Sequence, residues 1–366
     1  MNNNTNPFSP VALGRLTLKN RFVRSATWDG MGFSDGSFSP AQVELYHKLS
    51  AGGSGLLTTG FIGVNPQGRR NLEQNLISNQ KHQQSLSKIA KIARDHDSFL
   101  LAQLVHCGGQ AKSEASRQAV VAPSAIEHPI FEEVPQELTE NEIKETIANF
   151  GETAARAREA GCGGIQIHAA HGYLISQFLS PFANQRTDDY GGSPENRARF
   201  LIECYSKIRE YVGHDFTITI KINGSDYFEN GLECSDSLAA TQELAKLGLD
   251  GVEVSGGSQI SIPLTPIPSA IKAGENEVPF ATEITAFAET LPIPIIAVGG
   301  IRSLETAERL LNEGVSLISL CRPLIHEPDL VNQWQNGRRE PSTCNSCNRC
   351  FIPAFKGKGI KCLKKK

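Results

Sequence analysis

The chain has 366 residues with 36 basic and 39 acidic side chains, which give a formal net charge of −3. This balance excludes the excess positive charge that a general nucleic-acid-binding protein needs to neutralise phosphates. A hydrophobic content of 39% fits a globular core and argues against a disordered chain. The length alone allows either two average domains or one large α/β barrel.

The sequence contains no stretch that approaches the ~18 consecutive apolar residues of a membrane span. Its start, residues 1–6, lacks the basic-then-apolar order of a signal peptide. We therefore expect a cytoplasmic protein that binds neither membranes nor nucleic acid. The oligomeric state stays open, with a homo-oligomer among the options.

Eight short apolar or β-rich runs alternate with amphipathic stretches, as is typical of parallel strands joined by crossover helices. The predicted strands are residues 21–27, 55–61, 99–106, 164–170, 217–223, 251–255, 295–299 and 317–321. Eight strand–helix units most economically close into a (β/α)8 TIM barrel, whose catalytic groups follow the C-terminal ends of the strands. An open doubly wound sheet is the structural alternative.

Three further segments frame the predicted barrel. Residues 11–18 are typical of a small hairpin, which is suited to plug the barrel floor. One apolar face predicts a helix over residues 141–160. After Pro328 the alternation stops, so we expect residues 1–330 to form the barrel domain and residues 331–366 a short Cys-rich extension.

The most informative segment follows the predicted fourth strand, where His168, His171 and Tyr173 appear as an apolar run ends. Two histidines three residues apart can donate two hydrogen bonds to one carbonyl or phenolate oxygen, and a tyrosine hydroxyl can supply a proton. An isolated pair of this spacing more often marks structural histidines, and a zinc site would need a third ligand. The dense polar loop at residues 186–197 favours the functional interpretation.

With this loop, the sequence resembles the Old Yellow Enzyme family of FMN-dependent NAD(P)H:flavin oxidoreductases. Its bacterial ene-reductase and dienoyl-CoA-reductase-like branches are the most similar. The resemblance covers roughly residues 7–330 and depends on several motifs that occur in order along the predicted barrel. They are L-K-N-R at 18–21, N-P-Q-G-R at 65–69, Q-L-V-H at 103–106, H-A-A-H-G-Y-L at 168–174, the polar loop, and Gly299-Gly300 with Arg322.

The resemblance implies FMN bound across the barrel mouth. Gln103 would pair its amide with the flavin pyrimidine edge. Lys221, where many members place an arginine, would stabilise negative charge near N1 and O2, although it lacks a bidentate fork. Residues expected along the flavin ring are Ser25, Ala26, Thr27 and Gly60, and those expected at the phosphate are Gly299, Gly300, Cys321 and Arg322. A structural glutamine and an ordinary Gly-Gly turn are the alternatives.

Two residues depart from the family pattern. Trp28 aligns with the position that carries Cys or Thr near flavin O4 in well-known members. Phe61 lies where bacterial ene-reductases often have a small residue. Both departures imply an atypical substrate pocket.

The family reaction implies two half-reactions in one site, with NADH or NADPH delivering a hydride to the flavin and an activated alkene receiving it at the β-carbon. His168 and His171 would hold the carbonyl oxygen, and Tyr173 would protonate the α-carbon. We therefore predict ping-pong reduction of α,β-unsaturated carbonyl compounds. One alternative is a dienoyl-CoA-reductase-like protein that a separate partner supplies with electrons through a C-terminal cluster. Another is a non-catalytic flavin-binding electron-transfer protein.

Four of the nine cysteines crowd the C-terminal end, at Cys344, Cys347, Cys350 and Cys362. Their grouping is that of four thiolates around one iron–sulfur cluster, and zinc or uncommitted thiols are the alternatives. The segment resembles the [4Fe-4S] region of dienoyl-CoA reductase relatives, but one residue is missing between the second and third cysteines.

Overall fold

A computed structural model of the chain describes residues 5–262 and 264–364, so part of the N-terminal segment used for the localisation prediction lies outside the described residues. The strands are β1 (Val11–Leu13), β2 (Leu16–Leu18), β3 (Phe22–Arg24), β4 (Leu56–Thr58), β5 (Ile62–Gly63), β6 (Phe99–Val105), β7 (Val121–Ala122), β8 (Gln136–Glu137), β9 (Gly164–Ala169), β10 (Thr217–Asn223), β11 (Gly251–Ser255), β12 (Ile295–Val298) and β13 (Leu317–Leu320). The α-helices are α1 (Pro40–Ala51), α2 (Gln80–Asp95), α3 (Ser113–Ser116), α4 (Glu140–Glu159), α5 (Leu174–Leu179), α6 (Pro194–Val212), α7 (Cys234–Lys246), α8 (Ala281–Thr290), α9 (Leu304–Asn312), α10 (Arg322–His326), α11 (Leu330–Gln335) and α12 (Phe351–Phe355).

Eight parallel strands close into a barrel in chain order: β3, β4, β6 and then β9 to β13, with β13 paired back to β3. The (β/α)8 prediction is therefore confirmed, and each of the eight predicted strands corresponds to a barrel strand. The first and second are the most shortened, and in the first the ladder ends at Arg24 and residues 25–27 leave it to line the barrel mouth.

The N-terminal hairpin closes the opposite end of the barrel, as predicted. β1 and β2 pair antiparallel, and Gly14 takes φ 55° in the turn between them. The buried leucines of the hairpin pack with apolar side chains from the first residues of the barrel strands, such as Leu56 and Leu101. This cluster fills the barrel floor, so the open end for a ligand is at the C-terminal ends of the strands.

Helix α4 shows how the outer layer is specified. Thr139 caps it and forms a reciprocal capping box with Glu142, which satisfies two otherwise unpaired backbone donors. Ile143, Ile147 and Phe150 are buried at the helical repeat and turn one face toward the barrel. The helix predicted over residues 141–160 is thus confirmed with its ends shifted by one residue.

Helix α11 and the residues after it lie on the barrel. Leu330 and Trp334 are buried in the main hydrophobic core, and the Trp334 ring lies 5.6 Å from that of Phe22. The boundary expected at residue 330 therefore falls at the start of a helix that shares the barrel core, and the two-domain division stays a prediction. No helix among the residues that the structure describes is long and apolar enough to cross a membrane.

Candidate active site

The C-terminal ends of the barrel strands and the loops that follow enclose a cavity of about 600 Å³. Within the described part of the chain, four cationic side chains line it, Arg70, Lys221, Arg302 and Arg322, and no carboxylate does. The predicted site residues that line it are Ser25, Ala26, Thr27, Trp28, Phe61, Gln103, His168, His171, Tyr173, Lys221, Gly299, Gly300, Cys321 and Arg322. A cavity of this size and charge suits an organic ligand that carries phosphate.

Gly60 is the predicted flavin residue that does not line the cavity. Its N–H donates to the Tyr46 hydroxyl at 2.9 Å, so its backbone donor is already used. A Cβ at this position would lie 2.9 Å from the Thr27 carbonyl oxygen. The glycine therefore allows the chain after β4 to pass close to the cavity-lining residues that follow β3.

A buried chain of hydrogen bonds connects four neighbouring strands at the inner end of the cavity. Gln103 Nε2 donates to Gln166 Oε1 at 2.7 Å, and Gln166 Nε2 donates to Glu253 Oε2 at 2.8 Å. Glu253 Oε1 accepts from Lys221 Nζ at 3.4 Å and from Ser25 Oγ at 2.8 Å. Gln166 thus fixes the Gln103 amide, and the buried Glu253 carboxylate holds the Lys221 ammonium.

Glu253 is fully buried, so its charge must be stabilised by its neighbours. Burial favours the neutral acid, but the Lys221 charge and the hydrogen bonds from Gln166, Ser25 and Ser319 together lower its pKa. We conclude that Glu253 is ionised and anchors the Lys221 ammonium. Sequence reasoning missed Glu253 and Gln166, although a charged or amide residue inside an apolar strand was an available signal.

His168 and His171 face the same cavity with their rings 5.2 Å apart. His168 Nδ1 accepts the Ala170 N–H at 3.3 Å, which assigns its proton to Nε2. Burial and the Lys221 charge hold the pKa of both histidines well below the usual range. Both imidazoles are therefore neutral, and His168 is a hydrogen-bond donor without a positive charge.

His171 occupies a strained backbone position. Its φ is +63°, in the left-handed region that a non-glycine residue rarely adopts. The conformation is held by Asn223 Oδ1, which accepts the His171 N–H at 3.1 Å, and by a 2.8 Å hydrogen bond between His171 Nε2 and Ser255 Oγ. These two hydrogen bonds keep the His171 imidazole at the cavity beside His168.

Tyr173 completes the histidine cluster. Its ring lies 4.9 Å from that of His168, and its hydroxyl accepts from Arg70 Nη1 at 3.3 Å. Burial raises the pKa of the phenol, and the Arg70 charge opposes only part of that effect. Tyr173 therefore keeps its proton at neutral pH. Arg70 was missed from the sequence because it comes one residue after the motif that carried the resemblance.

The opposite end of the cavity has the features expected of a phosphate site. Gly299 and Gly300 take φ values of 120° and 67°, and a Cβ on either would approach a neighbouring side chain to 3.0 or 3.1 Å. Arg322 lies there and donates from Nη1 to the Pro268 carbonyl and to Asn348 Oδ1. The residues present thus fit an FMN phosphate at this end and the flavin pyrimidine edge at Gln103 and Lys221.

Trp28 and Phe61 both line the cavity, and their assignment to a substrate pocket stays a prediction. The Phe61 ring lies 5.5 Å from that of Tyr173, so it reduces the space beside the histidine cluster. The Trp28 ring packs at 5.3 Å against Phe355 of α12, and its indole N–H is buried with no hydrogen-bond partner among the described residues.

The C-terminal segment forms part of the cavity wall. Arg302 anchors it by donating to the Cys344 carbonyl at 2.6 Å and to Ser346 Oγ at 2.5 Å. Ile360 N–H donates to the Asp29 carbonyl at 2.7 Å. These contacts place residues from α12 over the outer side of the cavity.

The four C-terminal cysteines are not arranged as a metal site. Cys350 is buried, Cys347 is exposed, and Cys344 and Cys362 lie between these extremes. Burial raises the pKa of Cys344 and raises that of Cys350 to about 12. Both side chains are therefore protonated thiols at neutral pH. Across residues 5–262 and 264–364, no group of three or more His, Cys, Asp or Glu side chains could hold a metal ion. The arrangement does not fit a four-thiolate centre, and the cluster and zinc stay predictions.

Comparisons with known proteins agree with this geometry. Residues 7–340 match the model of the NADH:flavin oxidoreductase / NADH oxidase family. A metal reductase from Desulforamulus reducens is 32% identical over 97% of this chain and 53% of its own length. An NADPH dehydrogenase from Bacillus subtilis is 34% identical over 88% of this chain and 91% of its own length.

Among solved structures, a complex of 2-naphthoyl-CoA reductase with 2-naphthoyl-CoA superposes with a TM-score of 0.90 at 25% identity. The match covers 98% of this chain and 56% of that one. The chain thus spans about half the length of this structure and of the metal reductase, and most of the length of the NADPH dehydrogenase.

Proposed function

The chain belongs to the NADH:flavin oxidoreductase / NADH oxidase family, and on this premise we propose that it reduces the activated C=C bond of α,β-unsaturated carbonyl compounds, with FMN as cofactor and NADH or NADPH as the electron source. The observation that carries the proposal is the convergence of His168, His171 and Tyr173 on the cavity that also contains Gln103 and Lys221. The site thus combines oxyanion donors and a proton donor with groups that suit a flavin.

When bound, FMN supplies hydride transfer between the nicotinamide and the alkene. Gln103 orients the pyrimidine edge through an amide that Gln166 fixes, and Lys221 stabilises negative charge there. Gly299, Gly300 and Arg322 hold the phosphate. Because Glu253 fixes Lys221 in advance, the charge needs no rearrangement during the reaction.

His168 and His171 bind the substrate carbonyl oxygen and polarise it. A neutral imidazole suits this task because it donates a hydrogen bond and does not transfer its proton to the enolate oxygen. Tyr173 then donates its hydroxyl proton to the α-carbon, and its raised pKa keeps that proton available at neutral pH. Arg70, 3.3 Å from the hydroxyl, stabilises the phenolate that results.

Anaerobic rapid mixing of the FMN-loaded protein tests the proposal. NADH or NADPH should bleach the flavin absorbance, and a neutral enone such as cyclohexenone should restore it while one saturated ketone forms for each nicotinamide oxidised. No bleaching by either nucleotide would favour electron supply by a separate protein. Bleaching without ketone formation would favour a non-catalytic flavoprotein.

A further inference from the structure

Arg70 lines the cavity beside Tyr173, and the contacts of its guanidinium are all with neutral groups. Its Nη1 donates to Tyr173 Oη and to Gln110 Oε1, each at 3.3 Å. With the Gln259 amide oriented so that its oxygen faces the guanidinium, that oxygen lies 2.7 Å from Nη2 and 2.8 Å from Nη1. No ion pair joins Arg70 to a carboxylate in the part of the chain that the structure describes.

Two other buried arginines show what else can compensate such a charge. The adjacent Arg69 turns away from the cavity and donates to backbone carbonyls, including that of Gln74 at 2.9 Å. Arg186 pairs with Asp188 at 2.5 Å. A guanidinium removed from water costs free energy unless a charge or several acceptors compensate it. Arg70 has neutral acceptors and no carboxylate partner among the described residues, and because it lines the cavity its charge can be neutralised there by a ligand.

The proposed cofactor does not account for this charge. Lys221 is paired with Glu253, and Arg322 lies with Gly299 and Gly300 at the end suited to the phosphate. Arg70 instead contacts Tyr173, which belongs to the substrate side of the site. A ligand group that compensates Arg70 therefore lies beside the proton donor.

We infer that Arg70 binds a carboxylate of the substrate, so that the preferred substrates are α,β-unsaturated carbonyl compounds that also carry a carboxylate on the side of the C=C bond facing Tyr173. The inference rests on the proposed function and names its substrate class. A planar guanidinium can donate two parallel hydrogen bonds to a carboxylate, which fixes the orientation of the ligand as well as its charge. The amide of Asn71 also lines this part of the cavity, where it can contact the same group.

A matched pair of substrates tests the inference: 3-benzoylacrylate and its uncharged methyl ester, which share one enone. With the FMN-loaded full chain, we expect Arg70→Gln to lower the acid-to-ester ratio of kcat/KM about 10- to 100-fold, the amount that one charge-assisted hydrogen-bonded pair contributes. Arg70→Lys should recover part of the ratio, since lysine restores the charge but cannot donate two parallel hydrogen bonds from one planar group. Arg117→Gln removes a charge at an exposed site and should leave the ratio unchanged.

Binding to the oxidised protein gives a readout that does not depend on turnover. Titration with the acid, followed by the change in flavin absorbance, should show a Kd that rises about 10- to 100-fold in Arg70→Gln. The inference would be overturned if Arg70→Gln lowered kcat/KM equally for the acid and the ester, or if it left the Kd of the acid unchanged. A raised KM for NADPH with an unchanged ratio would assign Arg70 to a nucleotide phosphate instead. If neither compound is reduced while the acid Kd still depends on Arg70, the proposed reaction fails but the carboxylate site stands.

Discussion

Two walls of the cavity are built in different ways. The strand wall consists of Gln103, Gln166, Lys221 and Glu253, whose side chains bond to one another at 2.7–3.4 Å. The loop wall consists of residues from the loops and the C-terminal segment, among them Arg70, Tyr173, Gln259, Trp28 and Phe355. Within the part of the chain that the structure describes, Arg70 in this wall has no carboxylate partner and the Trp28 indole N–H has no acceptor.

The difference shows how the barrel separates two tasks. Strand residues are fixed by the barrel ladder, so the strand wall suits a cofactor that every turnover reuses. Loop residues vary without disturbing that ladder, so the loop wall can determine which substrate is accepted. Each of the following experiments changes one wall and asks whether the other still functions.

The largest effect is expected when both histidines are removed. His168→Ala with His171→Ala should lower alkene turnover about 10³-fold or more, because each oxyanion donor typically contributes 10²–10³. The protein should still bind FMN and be reduced by NADPH, since Gln103 and Lys221 are intact. Steady-state assays and flavin absorbance measure both properties. His47→Ala changes an exposed histidine and is the control; unchanged turnover in the double variant would refute the assignment.

Disruption of the strand wall should affect stability. Glu253→Ala leaves the buried Lys221 charge unpaired, and we expect the free energy of unfolding to fall by about 3–5 kcal/mol. Glu253→Gln keeps an acceptor for the Ser25 hydroxyl and should lower the free energy of unfolding by less. Urea denaturation of the FMN-free proteins measures the difference. Equal, small losses in both variants would show that the buried ion pair contributes little.

Acid should destabilise the fold through buried histidines. Burial lowers the pKa of His106 to about 4, whereas an unfolded histidine titrates near 6.5. The unfolded chain therefore binds more protons as the pH falls below 6.5, and this group should cost about 1.4 kcal/mol per pH unit down to pH 4. Urea denaturation at pH 7.5, 6.5 and 5.5 should show a smaller acid loss in His106→Gln. If the free energy of unfolding fell equally with pH in the wild type and in His106→Gln, this assignment would be contradicted.

The smallest effect is expected at the rim of the loop wall. Phe355 is 74% exposed and contacts Trp28, so Phe355→Ala should change the free energy of unfolding by less than about 1 kcal/mol. It should nevertheless change the KM of a bulky enone severalfold because it opens the cavity above the indole. The exposed Ile352→Ala, on the same short helix, is the control. An unchanged KM would show that Phe355 is not part of the substrate-facing wall.

The sequence predicted the strand wall better than the loop wall. Apolar periodicity located all eight barrel strands, His168 was identified from the polar residues at the end of the fourth, and the resemblance to the family placed Gln103 and Lys221. Gln166 and Glu253 were missed because they act only through other side chains. They could have been found from strand alternation, since Gln166 is two residues before His168 and points to the same side.

The loop wall was harder to predict from the sequence, because no periodic pattern indicates the path of a loop. Arg69 and Arg70 are adjacent and identical in type, yet one bonds backbone carbonyls and the other enters the cavity. The C-terminal segment gave a cysteine spacing but no sign that Arg302 would hold it against the barrel. Spacing along the chain therefore did not predict how the four thiols are arranged in space.

The central claim is that the strand wall holds the cofactor, which both half-reactions use, whereas the loop wall supplies the proton donor that only the alkene half-reaction needs. Stopped-flow measurement of Tyr173→Phe tests it most directly, because the change removes one hydroxyl from the loop wall and leaves the strand wall intact. We predict that flavin reduction by NADPH proceeds at the wild-type rate, while reoxidation by an enone slows by about 10²–10⁴-fold with the loss of the proton donor. Equal slowing of both half-reactions, or of neither, would contradict the account.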